Sequence, residues 1–364
     1  MAMRAARFSA HGGPEVVRVE NAPLPEPGPG EVRVRVDASA LNHLDLWVRR
    51  GLPIDISMPH VGGSDIAGTI DAIGPEASDG VGLSGEPVRL SPGTRVVIDP
   101  SLGWVDPASD PATWGDLNPA GLRLIGEHVD GGFAQYVVVP SANAVPIPDT
   151  LDVNIAAAAS LAGVTAWRAL VTRGRVRAGE RVLVTGASGG VSTMAIQIAK
   201  ARGATVIAVT STPWIEQVEA LGADLVIDRT AGDWSTVARA AARGGVNVVV
   251  DSVGAPMWDG IVRALAPGAR VASYGATTGP KVSIDLRHHF WKQTEFLGST
   301  MGSPEDYRAA MSAVAREEVR PPIHSVLPLD RCAAAHEELE AGRVFGKIVL
   351  KPWASVGTSE ESNR

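Results

Sequence analysis

The run Arg181-Val-Leu-Val-Thr-Gly-Ala-Ser-Gly-Gly-Val-Ser-Thr-Met-Ala-Ile-Gln-Ile-Ala-Lys200 constrains the fold more than any other stretch, because a β-branched segment turns through glycines straight into an amphipathic helical pattern. A diphosphate is held by backbone N–H donors and by the positive end of a helix dipole, and side chains obstruct that approach. Gly186, Gly189 and Gly190 clear the way, and with Ser188 and Val191 they are the candidate phosphate-binding residues.

Glycines alone are common in turns, so the flanks decide. Val182–Val184 reads as a buried parallel strand, Ala195, Ile196, Ile198 and Ala199 mark one helix face, and Ala204–Val209 supplies a second strand. The βαβ unit is complete. Ser192 stands where such fingerprints place their last glycine, and a residue this small is expected to fit. An Asp or Glu closing the second strand would hold a ribose 2′-hydroxyl and repel a 2′-phosphate. This strand closes Val209-Thr-Ser-Thr-Pro213 with no acid, so NADPH is expected ahead of NADH, with Ser211 and Thr212 as candidate phosphate contacts.

A chain of 364 residues, 45% hydrophobic, can bury two cores. Its net charge of −7 disfavours nucleic acid or an anionic membrane as partner. The first residues, Met1-Ala-Met-Arg-Ala-Ala-Arg-Phe-Ser, lack a signal-peptide core, and the sequence shows no apolar run read as long enough to span a bilayer, so a cytoplasmic location is expected. Cys332 is the only cysteine, which rules out intramolecular disulfides and multi-cysteine zinc sites; its helical surroundings point to a small buried residue.

From Met1 to about Pro148 the chain is β-rich and broken by Gly and Pro, with strands at Glu31–Val36, Ile66–Ile73, Thr94–Ile98 and Phe133–Val139, as in an antiparallel barrel-like domain. Asp79–Pro92 and Pro100–Leu122 read as polar surface loops. Strands then alternate with helices at Arg181–Thr185, Thr205–Val209, Leu225–Ile227, Val246–Asp251, Arg270–Tyr274 and Glu295–Gly298, enough for a doubly wound parallel sheet. A strand at Ile323–Leu327, a helix at Asp330–Ala341 and a strand at Lys347–Leu350 are expected to return to the first domain. The division is therefore 1–149 plus 301–353 and 150–300, with a disordered tail at 354–364.

Gly28-Pro-Gly-Glu-Val-Arg-Val34, Gly63-Ser-Asp-Ile-Ala-Gly68, Gly126-Glu-His-Val-Asp-Gly-Gly-Phe-Ala-Gln-Tyr136, Ala162-Gly-Val-Thr-Ala-Trp167 and Gly346-Lys-Ile-Val-Leu350 follow one another in an order that resembles the medium-chain dehydrogenase/reductase superfamily over nearly the whole chain. The resemblance implies an α/β fold: a GroES-like, β-barrel-type catalytic domain and a Rossmann domain. It further implies cofactor contacts at Thr165, Val253, Gly275 and Lys347, although a surface lysine is an equally good reading of the last. Arg229 falls near the place where NADPH-using members have an aromatic phosphate contact. Zinc-containing members hold their catalytic metal with Cys and His residues, and the matching positions here are Asn42, Ser64 and Leu161, none of them a thiolate or imidazole. The four-cysteine lobe is replaced by Pro100–Gly121. The zinc-free quinone-reductase and enoyl-reductase branch is the better match, with no metal expected. His43, His60, Asp65 and Glu127 could converge near one cleft, but their spacing matches no metal motif, and His288 and His289 read as an element-end segment.

Without zinc, direct carbonyl reduction loses its Lewis acid, whereas a conjugated acceptor spreads the incoming charge into an enolate or hydroquinone. Hydride transfer to an enone C=C or a quinone is thus the expected chemistry. Leu41-Asn-His-Leu-Asp-Leu-Trp47 resembles the segment lining the nicotinamide pocket of zinc-free members, which makes Asn42 the first candidate donor. His43 is a possible proton donor or a structural hydrogen-bonder, Asp45 is an orienting acid, and Trp47 replaces a tyrosine found in several members. Two alternatives stay open: a zinc-independent dehydrogenase or pathway-specific biosynthetic enzyme, and a non-catalytic dinucleotide-binding protein. A homodimer through Glu295–Gly298 is expected by analogy.

Overall fold

The computed structural model describes residues 1–105 and 121–354. Most of the Pro100–Leu122 loop and residues 355–364 of the expected tail lie outside the described residues. The chain packs as two compact units: Met1–Leu161, Ser303–Ala315 and the chain from Pro321 onward form one, and Ala162–Gly302 with Arg316–Arg320 the other.

In the first unit the strand Glu31–Ala40 is the organiser. Its period of two buries Val32, Val34, Val36 and Ala38 completely, while Arg33 and Arg35 on the opposite face ion-pair with Asp71 and Asp37. It pairs antiparallel with Asp65–Ile73, Tyr136–Pro140 and Lys347–Lys351. Arg95–Ile98 and Ala144–Pro146 extend one flank, and Ile323–Pro328 lies beside Lys347–Lys351 on the other. The chain's return is therefore built into the first sheet, where Val349 faces Ala40 and the Leu41 N–H donates to the Ile348 carbonyl at 3.0 Å. This brings Lys347 beside the residues that follow Ala40.

The second unit is a six-stranded parallel sheet in the order Leu225–Asp228, Thr205–Thr210, Arg181–Val184, Val246–Asp251, Leu265–Ser273, Glu295–Gly298. Val182–Val184 and Val248–Val250 are fully buried, the pattern of strands covered on both faces. The order reverses between Arg181–Val184 and Val246–Asp251, and in open sheets of this kind ligands bind beyond the strand ends at such a reversal. All six expected strands are present. The fifth begins at Leu265 and not at Arg270: Leu265 pairs with Val246, and a register shift separates that pair from Val248 and Arg270.

One expectation needs correcting. The helical run Val153–Arg173, 21 residues with a mean hydropathy of 1.4, is long and apolar enough to cross a membrane by length and composition. Its apolarity comes from an alanine-rich stretch, 83% of which is buried inside the protein, so it reads as a core helix.

Candidate functional site

In the second unit the glycine loop leaves the strand Arg181–Val184 and enters the helix Gly190–Ala201. Gly186 has φ +54°, and a Cβ there would lie 2.9 Å from Val253 Cγ2, so the turn needs glycine. Gly189 is the N-cap and supplies no side-chain cap, which leaves the first-turn N–H groups of Gly190 and Val191 to a ligand. Ser192 fits in the glycine's place. Its buried hydroxyl donates to the Thr185 carbonyl at 3.0 Å and lies 3.1 Å from the Tyr274 hydroxyl, so the residue ties helix to strand.

The neighbouring strand end is organised by Asp251, which sequence reasoning missed. Its carboxylate accepts from Thr185 Oγ1 at 2.5 Å, Val253 N at 3.2 Å and Gly254 N at 3.1 Å, and burial pushes its pKa up against those bonds. Val253 is thereby held beside the glycine turn. Gly275 packs against Ser252, where a Cβ would come within 3.1 Å. Thr165 is buried on the helix Val153–Trp167.

At the end of the second strand, Ser211 is the N-cap of a short turn, and Thr212 Oγ1 donates to Asp228 Oδ2 at 2.5 Å. The hydroxyl expected to meet a phosphate is therefore spent on a carboxylate. Asp228 also accepts from the Thr230 N–H at 2.8 Å and hydroxyl at 2.7 Å, and Arg229, itself exposed, donates its N–H to the Thr210 carbonyl.

In the first unit, Asn42 caps the helix His43–Arg50, and its N–H donates to Asp45 Oδ2 at 2.7 Å, half of a capping box. Asp45 Oδ1 accepts from Gly63 N at 3.1 Å, and burial lifts its pKa to about 7. The Asn42 side chain is doubly engaged: Nδ2 donates to Asp65 Oδ2 at 2.8 Å, and Oδ1 accepts from Lys347 Nζ at 2.5 Å. Lys347 Nζ donates to Asp65 Oδ2 as well, at 2.8 Å, and Leu161 N donates to Asp65 Oδ1 at 2.6 Å. Lys347 is 3% exposed and Asp65 fully buried, so the surface reading of Lys347 does not hold.

These contacts bring two of the residues matched to zinc ligands, Asn42 and Leu161, to the carboxylate that follows the third, Ser64, in sequence. The set does not fit a zinc ion. Leu161 offers no side-chain ligand, Ser64 Oγ is buried with no partner among the described residues, Asn42 is committed, and the one anion already has an ammonium. His60 instead meets the Gly126 carbonyl at 3.1 Å, and among the described residues no group of three or more His, Cys, Asp or Glu could hold a metal. His289 Nδ1 meets Thr294 Oγ1 at 2.9 Å.

His43 reaches solvent, yet partial desolvation, with the charges of Lys347 and Arg50 near it, holds its pKa below the ordinary histidine range. Trp47, 37% exposed, has the Arg50 guanidinium 5.5 Å from its ring centre. Cys332 is fully buried and its thiol is pushed far up, which removes it as a nucleophile.

Comparison with known proteins bears on the family. A family model described as alcohol dehydrogenase GroES-like domain matches residues 28–149, and one described as zinc-binding dehydrogenase matches residues 190–316. A crystal structure described as an NAD-dependent alcohol dehydrogenase is 41% identical with a TM-score of 0.86, covering 96% of this chain and 99% of that one. A quinone oxidoreductase of Pseudomonas aeruginosa is 30% identical over 95% of this chain and 98% of its own length. An acryloyl-coenzyme A reductase of Sulfurisphaera tokodaii is 28% identical over 92% of this chain and 96% of its own. A GroES-like unit followed by a parallel dinucleotide sheet, with oxidoreductase relatives along nearly the full length, makes this chain a member of the medium-chain dehydrogenase/reductase superfamily.

Proposed function

We propose that the protein is a zinc-independent oxidoreductase that passes hydride from a reduced nicotinamide dinucleotide to a conjugated C=C or a quinone. The observation that supports this reading is the Asn42–Asp65–Lys347 cluster, in which Asn42, at a position matched to a metal ligand, is bonded to a carboxylate and an ammonium while the other two matched positions hold Ser64 and Leu161. The glycine turn at Gly186 and the uncapped N-terminus at Gly189 would hold the coenzyme's diphosphate. When bound, the nicotinamide ring supplies the hydride.

The chain's own residues then have a limited task. With no Lewis acid, charge developing on the acceptor oxygen falls to hydrogen-bond donors, and Asn42 Nδ2 keeps a second hydrogen beyond the one given to Asp65. Lys347 fixes the amide's orientation by occupying its oxygen. The lowered pKa of His43 keeps its imidazole neutral at pH 7, so it can orient the acceptor by a hydrogen bond better than it can release a proton. A conjugated acceptor asks least of such donors, which supports it over a simple ketone, and the quinone oxidoreductase and acryloyl-coenzyme A reductase relatives support the same choice.

The 41% identity to a protein described as an alcohol dehydrogenase favours a second reading, oxidation of an alcohol on the same scaffold. One assay separates the two. The purified protein, dialysed against a chelator and measured for metal, is mixed with reduced coenzyme and a panel of quinones and enones, and separately with oxidised coenzyme and alcohols. Consumption of reduced coenzyme without bound metal supports the proposal. Alcohol oxidation alone supports the second reading, and coenzyme binding with neither turnover leaves a non-catalytic dinucleotide-binding protein. We also propose a homodimer through Glu295–Gly298, an edge strand of its sheet, which light scattering tests.

A further inference from the structure

The second dinucleotide strand ends without an acid, yet the acid is present one strand over. Asp228 closes the strand Leu225–Asp228 and is paired in register with Thr210, the last residue of Thr205–Thr210. Its carboxylate thus stands at the same carboxyl edge of the sheet, where open parallel sheets bind their ligands. It is also held in place: Thr212 Oγ1 at 2.5 Å fixes one oxygen, and Thr230 N and Oγ1, at 2.8 and 2.7 Å, fix the other. All three donors are neutral, so the negative charge is left uncancelled by them. Those bonds, that from Thr212 first, also lower the pKa of Asp228, which keeps it ionised.

We propose that Asp228, anchored by Thr212 and Thr230, sets the coenzyme preference of this protein, taking the adenosine ribose 2′-hydroxyl of NADH and turning away the 2′-phosphate of NADPH. The proposal rests on the reading that the chain binds a nicotinamide dinucleotide, and it reverses the preference expected from the second strand alone. The physical basis is a difference of affinities: a fixed carboxylate gives a neutral hydroxyl an acceptor, whereas it meets a phosphate dianion with like charge and with the Thr212 hydroxyl already committed. Arg229, the next residue, pulls the other way by offering a cation on the same edge.

Equilibrium binding of NADH and NADPH to the full chain, followed by nicotinamide fluorescence and by the shift in melting temperature, tests this without turnover. The unaltered protein is expected to bind NADH about tenfold or more tighter than NADPH. Asp228→Asn is expected to bring the two affinities together mainly by strengthening NADPH, whereas Arg229→Ala weakens NADPH further and spares NADH. Asp228→Asn gives up part of the bonding to Thr212 and Thr230 and should melt slightly lower without coenzyme, so affinities are compared at a temperature where each variant is folded. Equal or tighter binding of NADPH by the unaltered protein, or an Asp228→Asn ratio identical to the parent's, overturns the inference and leaves the proposed function standing. If neither coenzyme binds, the inference and the proposed function both fall.

Discussion

Asp65 and Asp228 are both carboxylates at strand ends, and the protein treats them in opposite ways. Asp65 is fully buried and meets an ammonium, an amide and a backbone N–H, so its charge is consumed within the unit that holds it. Asp228 is accessible and meets only hydroxyls and an amide N–H, so its charge is aimed but not cancelled. A cancelled charge serves to fix geometry, and an uncancelled one can discriminate between ligands. Asn42, Asp65 and Lys347 spend their polar groups on one another, while Asp228 and its neutral partners leave one anion uncancelled.

The largest effect should come from breaking the cancelled pair. Lys347→Met leaves Asp65 buried without its counter-ion and should cost about 3–5 kcal/mol in urea unfolding. Pairing it with Asp65→Leu should restore much of the loss. A single variant within 1 kcal/mol of the parent, roughly the range of a surface pair, would erase the contrast between the two aspartates.

Next is the pH dependence of the first unit. Asp45, Asp99 and Glu127 each have a folded-state pKa lifted to about 7, with burial the leading cause. A raised carboxyl pKa means the folded chain keeps a proton that the unfolded chain has lost. Their joint contribution therefore falls as pH rises from about 4 to about 7 and is level above that. Asp45→Asn should flatten part of this decline, read from melting temperatures across that range.

Smaller still is Gly186→Ala. The left-handed φ of +54° and the approach to Val253 predict a loss of about 1–2 kcal/mol, with coenzyme affinity reduced in the same variant. Unchanged affinity would mean that the glycine loop is only a turn. At the bottom of the scale, Arg50→Ala removes a cation from above an exposed Trp47 and should change stability by about 0.5–1 kcal/mol at most.

What the sequence made legible follows from what is local. The glycine turn, the six strands and the returning strand–helix–strand carry their signals within a few residues, and all appear in the fold. Asn42 was singled out from its local segment, but its side-chain bonds are to Asp65 and Lys347, which are 282 positions apart and meet because the strand Lys347–Lys351 joins the first sheet. Asp228 was hidden for a related reason. An acid at the end of the third strand becomes a neighbour of Thr212 only through the parallel register, so a search confined to the second strand overlooks it. Asp251 is hidden in the same way, since its partner Thr185 belongs to a different strand.

The placement of Lys347–Lys351 within the first sheet has a consequence for synthesis. All six strands of the parallel sheet have been made once residue 298 is joined, whereas the first sheet still lacks Ile323–Pro328 and Lys347–Lys351 at that point and gains the second of them only when residue 351 is joined. The unit that begins the chain is thus the one that closes last on the ribosome, and a message truncated shortly before Lys347 yields a polypeptide with its coenzyme platform assembled and the Asp65 carboxylate still waiting for its cation.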